Sequence, residues 1–139
     1  MSEIITDKLT GKTAAGDVTI TSEGGAVTMQ LQQGVAKAWV NFNGTGTVAV
    51  SDSLNSSSVS DRGTGAYTFN VSNAMSNATY SRAASGVKND TNEDGNFISI
   101  TGTTGLLPTT SSCPIKTSHA NLSGTDFPQI TLNFHGDLA

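Results

Sequence analysis

Few residues in this 139-residue chain could do chemistry. The two histidines, His119 and His135, are far apart in the sequence. Ser118 adjoins His119 and Asp126 follows closely, so the three could be drawn as a nucleophile, a base and an orienting acid. A serine nucleophile of the hydrolase kind needs a sharp Gly-x-Ser-x-Gly turn to present its oxygen, and no serine here sits in one. In a chain so rich in serine, such a neighbour of histidine arises from composition. Histidines at i and i+4 and paired cysteines, the ordinary metal spacings, are also missing. No base, nucleophile and orienting group come together, so the expectation is a protein that is not an enzyme.

Two glycine-rich stretches resemble nucleotide-binding loops and fail on spacing. Gly11-Lys12-Thr13 ends like a phosphate loop, but position 6 is Thr6, where that loop needs its first glycine. Gly44-Thr45-Gly46 should open a helix if it cradled a dinucleotide. It opens the alternating run TVAVS instead and reads as a turn. The acidic run Asp90-Thr91-Asn92-Glu93-Asp94-Gly95 matches the first half of a calcium loop, with oxygen ligands at alternate positions and glycine sixth. The twelfth position is Thr101, where the full loop needs Glu. Asp90, Asn92 and Asp94 are therefore either a calcium half-loop completed by carbonyls and water, or an ordinary hairpin tip. Asp90, Glu93 and Asp94 crowd one turn and do not face each other across a cleft, as sugar hydrolysis would require. Asn-x-Ser/Thr triplets such as Asn77-Ala78-Thr79 reflect composition, because no secretion signal accompanies them.

Composition narrows the partners. The net charge is -4 and the seven Lys and Arg residues are scattered, which argues against nucleic acid. The single cysteine, Cys113, cannot close an internal disulfide, so the chain is expected to fold in a reducing cytoplasm. No stretch approaches the roughly 20 apolar residues of a membrane span, so no membrane insertion is expected. Hydrophobic residues make up only 35% and charged residues 13%. With abundant Thr, Ser, Val, Gly and Asn, this balance fits β-structure with polar turns. So thin an apolar content also implies burial against other copies, to offset conformational entropy.

Residues 1–26 read as an extended lead segment with one strand at Asp17–Ser22. Val27, Leu31, Val35, Ala38 and Phe42 are spaced by three or four, which predicts a short helix over 28–40, capped by Thr28. So short a helix is marginal alone; it would serve as an oligomeric neck or as a cap on its own sheet. From there the period is two. Strands are expected at Thr45–Ser51, Ser56–Ser60, Ala66–Val71, Thr79–Ala83, Asn96–Thr101, Pro114–His119 and Gln129–His135. Asp61 to Gly65 should close a hairpin. Leu106 and Leu107, in a long loop, are either a plug over the core, the reading preferred, or an exposed contact. Trp39, Phe42, Tyr67, Phe69, Tyr80 and Phe134 are assigned to the core or to subunit contacts.

Residues 34–55 (GVAKAWVNFNGTGTVAVSDSLN), 59–71 (VSDRGTGAYTFNV), Ala74-Met75, 77–80 (NATY) and the closing strand 130–137 (ITLNFHGD) resemble a segment common in tail-fibre proteins of marine and environmental bacteriophages. The family often has Phe in place of Leu54 and of His135. The resemblance covers about half of the chain. It implies a virion structural protein: a tail fibre or tail-tip adhesin for host attachment or, as the alternative, a capsid decoration or head-spike protein.

The expected architecture is all-β: an antiparallel β-sandwich of about seven strands with one short N-terminal helix, assembled as a homotrimer. Residues 1–26 would attach it to other virion proteins, with 27–139 as the folded domain. Leu31, Val35 and Trp39 are the expected oligomer contacts. Loops within 86–96 and 103–126 are the expected receptor surface, facing a host glycan or protein. The chain would be made in the host cytoplasm and reside in the virion.

Overall fold

The computed structural model describes residues 4–14, 18–88, 97–99, 106–118 and 122–139. Asp90, Asn92 and Asp94, with most of the 86–96 loop, lie outside the described residues, as does His119. The chain divides into two compact units, Met1–Val35 and Ala36–Ala139.

The first unit holds strands β1 (Thr19–Thr21) and β2 (Thr28–Gln30), paired antiparallel from Thr19↔Gln30 to Thr21↔Thr28. Its turn closes through Ser22 N donating to Val27 O at 2.8 Å, with Gly25 at φ +69. One helical turn follows, α1 (Leu31–Gly34), with no side-chain cap. Every residue of both strands is exposed.

The helix expected over 28–40 is not formed: strand β2 and the single turn α1 are followed by strand β3 (Ala38–Asn43). Ala38 and Phe42 fit two periods at once, the helical stripe and the alternation Ala38, Val40, Phe42. The second prevails because β3 can pair on both sides within a sheet, and its three inward residues are then almost wholly buried. Gly34 and an uncapped start leave the helix nothing comparable.

Among its described residues the second unit contains β3 and seven further strands: β4 (Ala49–Leu54), β5 (Ser56–Asp61), β6 (Ala66–Val71), β7 (Ser81–Val87), β8 (Phe97–Ser99), β9 (Ser112–Ser118) and β10 (Gln129–His135). They form two four-stranded sheets, ordered β4-β3-β10-β7 and β5-β6-β9-β8, with every neighbouring pair antiparallel. Neither sheet closes into a barrel. Val40, Phe42, Ile130, Leu132 and Phe134 from the first sheet share one buried cluster with Tyr67, Phe69, Val71, Cys113 and Ile115 from the second. Ring contacts knit it together: Phe42 meets Tyr67 edge-on at 5.2 Å, and Phe69 meets Phe134 at 5.3 Å. Phe127 and Met75, on connecting segments, complete the cluster.

Turn chemistry fixes the strand ends. The Asp61–Gly65 hairpin forms as expected, with Gly63 N donating to Asp61 Oδ1 at 2.8 Å and Arg62 N to Ala66 O at 2.9 Å. Thr45 donates from both its amide and its hydroxyl to Asn43 Oδ1, at 2.8 and 2.7 Å. That Asx-type turn ends β3 and delays β4, which begins at Ala49 and not at the expected Thr45. Between β4 and β5 the chain passes from one sheet to the other through Asn55, at φ 53. Asn55 Nδ2 donates to Lys37 O at 3.1 Å and Asn73 O at 3.0 Å, while its Oδ1 accepts from Asn73 N at 2.7 Å. Asparagine tolerates this backbone region and here locks the corner.

Candidate functional site on an outer sheet face

Alternation along β3 and β10 sends Ala38, Val40, Phe42, Ile130, Leu132 and Phe134 inward, and places Trp39, Asn41, Thr131 and Asn133 on the opposite face. Register puts Trp39 opposite Asn133 and Asn41 opposite Thr131 on the adjacent strand. These four, with Ala36 and the Val40 and Leu132 positions, line a depression of about 310 Å³. Both strands are internal to their sheet, so the floor is held by hydrogen bonding on either side.

Neighbouring strands extend the face. On β4, Leu54 lies opposite Trp39 and Asp52 opposite Asn41. A bulge beyond Asn41 next pairs Phe42 with Val50, and an irregular edge of this kind discourages strand addition. On β7, Ser85 lies opposite Thr131, and their hydroxyls are 2.6 Å apart. The Thr131 hydroxyl is thereby committed, whereas the side-chain amides of Asn41 and Asn133 engage no other described residue. Each offers two donors and an acceptor. No charged residue lines the depression. Such a lining offers apolar contact and neutral hydrogen-bonding groups.

Of the other residues named for chemistry, Asp126 is engaged in fastening turns. Asp126 Oδ1 accepts from Tyr67 OH at 2.6 Å and Gly65 N at 2.7 Å, and Gly44 O lies 3.1 Å from the same phenol. Three separate turns meet at this point. A Cβ on Gly65 would run into Thr117 O, and one on Gly44 into the Tyr67 phenol, so both must be glycine. Burial and the Asp126 carboxylate push the Tyr67 phenol above its ordinary range. Ser118 is buried at the end of β9. Burial also pushes the Cys113 thiol up to about 11, which leaves it protonated and unreactive at neutral pH. Among the described residues, no three His, Cys, Asp or Glu side chains gather as a metal site.

Leu31 belongs to α1, Val35 follows it exposed, and Trp39 stands on β3; the single helical stripe expected of them does not exist. Leu106 and Leu107 do not plug the core: Leu107 is 77% exposed. Polar Thr109 Oγ1, accepting from Ser111 N and Ser112 N, closes their loop in place of an apolar anchor. The 103–126 range contains the strand expected at Pro114–His119, formed as β9, which is central in its sheet and mostly buried. Among the described residues of that range, the exposed ones lie on the flanking segments. Leu122, with 70% exposure, holds a positive φ of 66 there, a strained setting for a branched side chain. The Trp39 depression was not anticipated, because its halves come from opposite ends of the folded unit. The visible signal was Trp-x-Asn in one alternating run and Thr-x-Asn in another.

Comparison with protein-family models, with curated proteins and with solved structures finds no match.

Proposed function

We propose that this chain is a structural protein of a bacteriophage particle, acting as a tail-fibre or tail-tip adhesin in host attachment. The observation that carries this reading is how burial is divided along the chain. All of the buried apolar core lies at or beyond Ala38, among the described residues. In the first unit, Ile4, Ile5, Leu9, Ile20, Val27, Met29 and Val35 are all exposed, Ile4 and Ile5 at 86%. A segment whose described residues expose these apolar side chains and bury none gains from a partner surface. A presented β-domain preceded by a segment that others must cover is the organisation of a particle appendage. The likeness of residues 34–82 to phage tail-fibre segments agrees with it.

In this reading the two sheets pack face to face as a β-sandwich. Copies associate as a homotrimer through the apolar residues of the first unit, Leu31 and Val35 included. The outer face around Trp39 and the loops carrying Leu107 and Leu122 point to the host. Weak contacts gain strength from multiple copies.

The test uses amine-labelled purified chain, mixed separately with a panel of environmental bacterial isolates and with DNA-free phage capsids. Saturable labelling of cells supports the adhesin. Saturation of capsids with no cell labelling selects the decoration protein, and failure to bind either removes the virion reading.

A further inference from the structure

We propose that the depression around Trp39 is a subsite for one neutral pyranose ring, stacked on the indole and held at its hydroxyls by the Asn41 and Asn133 amides. The assignment deepens the adhesin reading and rests on it for biological meaning, though the binding chemistry stands on the geometry.

A pyranose has an apolar C–H face and a rim of hydroxyls that both donate and accept. The depression supplies the counterpart to each. Trp39 is half-buried, so its ring is held in place yet still reaches the lining surface. An aromatic so placed offers wide apolar contact at small entropic cost. Asn133 lies directly across from Trp39, and Asn41 is two residues along β3, so their amides flank the indole. Unengaged amides beside a recessed indole are poorly used by packing alone and well used by a hydroxyl rim. The volume of about 310 Å³ sits at the small end of ligand sites, roughly 300–1,000 Å³, which suits a single ring and not a long chain.

Charge sets the ligand class. The lining carries no cation to meet a phosphate, sulfate or uronate, and Asp52 lies opposite Asn41 on the next strand. With a net charge of -4 as well, an anionic sugar is repelled and a neutral one is not. The floor is preorganised, since β3 and β10 are internal strands, so little ordering cost falls on binding. Affinity per site is expected to be millimolar, raised by display in several copies.

Trp39 is the chain's one tryptophan, so its fluorescence reports the subsite directly. The full chain is titrated with methyl glycosides of glucose, galactose, mannose and N-acetylglucosamine, and with glucuronate and inorganic phosphate. The expected result is a saturable shift in emission, and in the Asn41 and Asn133 side-chain amide resonances, with at least one neutral glycoside and with neither anion. For variants, amide resonances replace fluorescence. Trp39→Phe should retain binding, Trp39→Ala should weaken it by at least about tenfold, and Asn133→Ala should weaken it while leaving the melting temperature unchanged. Silence from all four neutral glycosides overturns the subsite. So does a Trp39 emission that shifts on dilution in step with the dissociation of an oligomer followed by sedimentation, which places a second copy of the chain over the indole. If the wild-type chain labels cells and Trp39→Ala labels them equally, the subsite fails while the adhesin stands. If a glycoside binds at Trp39 but no cell is labelled, the adhesin fails while the subsite stands.

Discussion

Tyr67 and Asp126 are 59 positions apart in the chain, yet a 2.6 Å hydrogen bond joins them and fastens the turns at Gly44 and Gly65. A short, charge-assisted bond to a buried phenol is worth more than an exposed pair. Tyr67→Phe is expected to cost about 1–2 kcal/mol in chemical denaturation. Asp126→Ala should cost about 2–3 kcal/mol, because it strands the Gly65 amide and leaves the phenol only its longer bond to Gly44 O. In a double-mutant cycle the two losses should be strongly non-additive. Burial raises two further groups: the Cys113 thiol from 9.0 to about 11, and the Tyr80 phenol from 10.0 to about 12. The folded state holds these protons more tightly than the unfolded state does, so their contribution is intact below about pH 9. It is then lost as pH climbs through the folded values. Denaturation midpoints measured from pH 7 to 11 should stay level up to about 9 and then fall, and Cys113→Ala should remove the earlier part of that fall. None of these links was legible in the sequence. Asp126 drew notice only as a would-be partner of His119, since a tertiary hydrogen bond across such a separation leaves no local pattern.

At the scale of elements, Ala66–Val71 and Gln129–His135 have the same limits in sequence and structure. In both, clean alternation runs between strong turn residues. Residues 28–40 went the other way. Val27, Leu31, Val35, Ala38 and Phe42 satisfy a helical spacing that a local window cannot distinguish from the alternation Ala38, Val40, Phe42. The deciding fact is pairing with Gln129–His135, far along the chain. Sidedness of β3 gives a direct check. Phe42→Ala should cost about 3–5 kcal/mol, because the ring is buried and touches Tyr67. Leu54→Ser, on the exposed edge strand, should cost under about 1 kcal/mol. A helix presenting Leu31, Val35, Ala38 and Phe42 along one seam would instead make Leu31→Ala as costly as Phe42→Ala. The candidate site was not legible: the sequence assigns Trp39 to the core or to subunit contacts, and its companions Thr131 and Asn133 join it only through the β3–β10 register.

For the whole molecule, low apolar content leads to an expectation of burial against other copies, and we propose the first unit, whose described residues bury no apolar side chain, as the part that associates. Removing residues 1–35 should leave the melting temperature of the remainder within about 2 °C, since the buried core lies beyond them. The same truncation should abolish self-association and incorporation into particles. Chelator or added calcium is expected to leave the melting temperature unchanged. A rise of several degrees with calcium would instead assign Asp90, Asn92 and Asp94 as ligands. The central claim, that this chain is an appendage of a phage particle, is tested most directly by electron microscopy. Particles of the virus encoding it would be decorated with gold-labelled antibody raised against residues 36–139. The account predicts gold clustered at the free end of the tail; particles without gold, with the chain left behind in the cleared lysate, would contradict it.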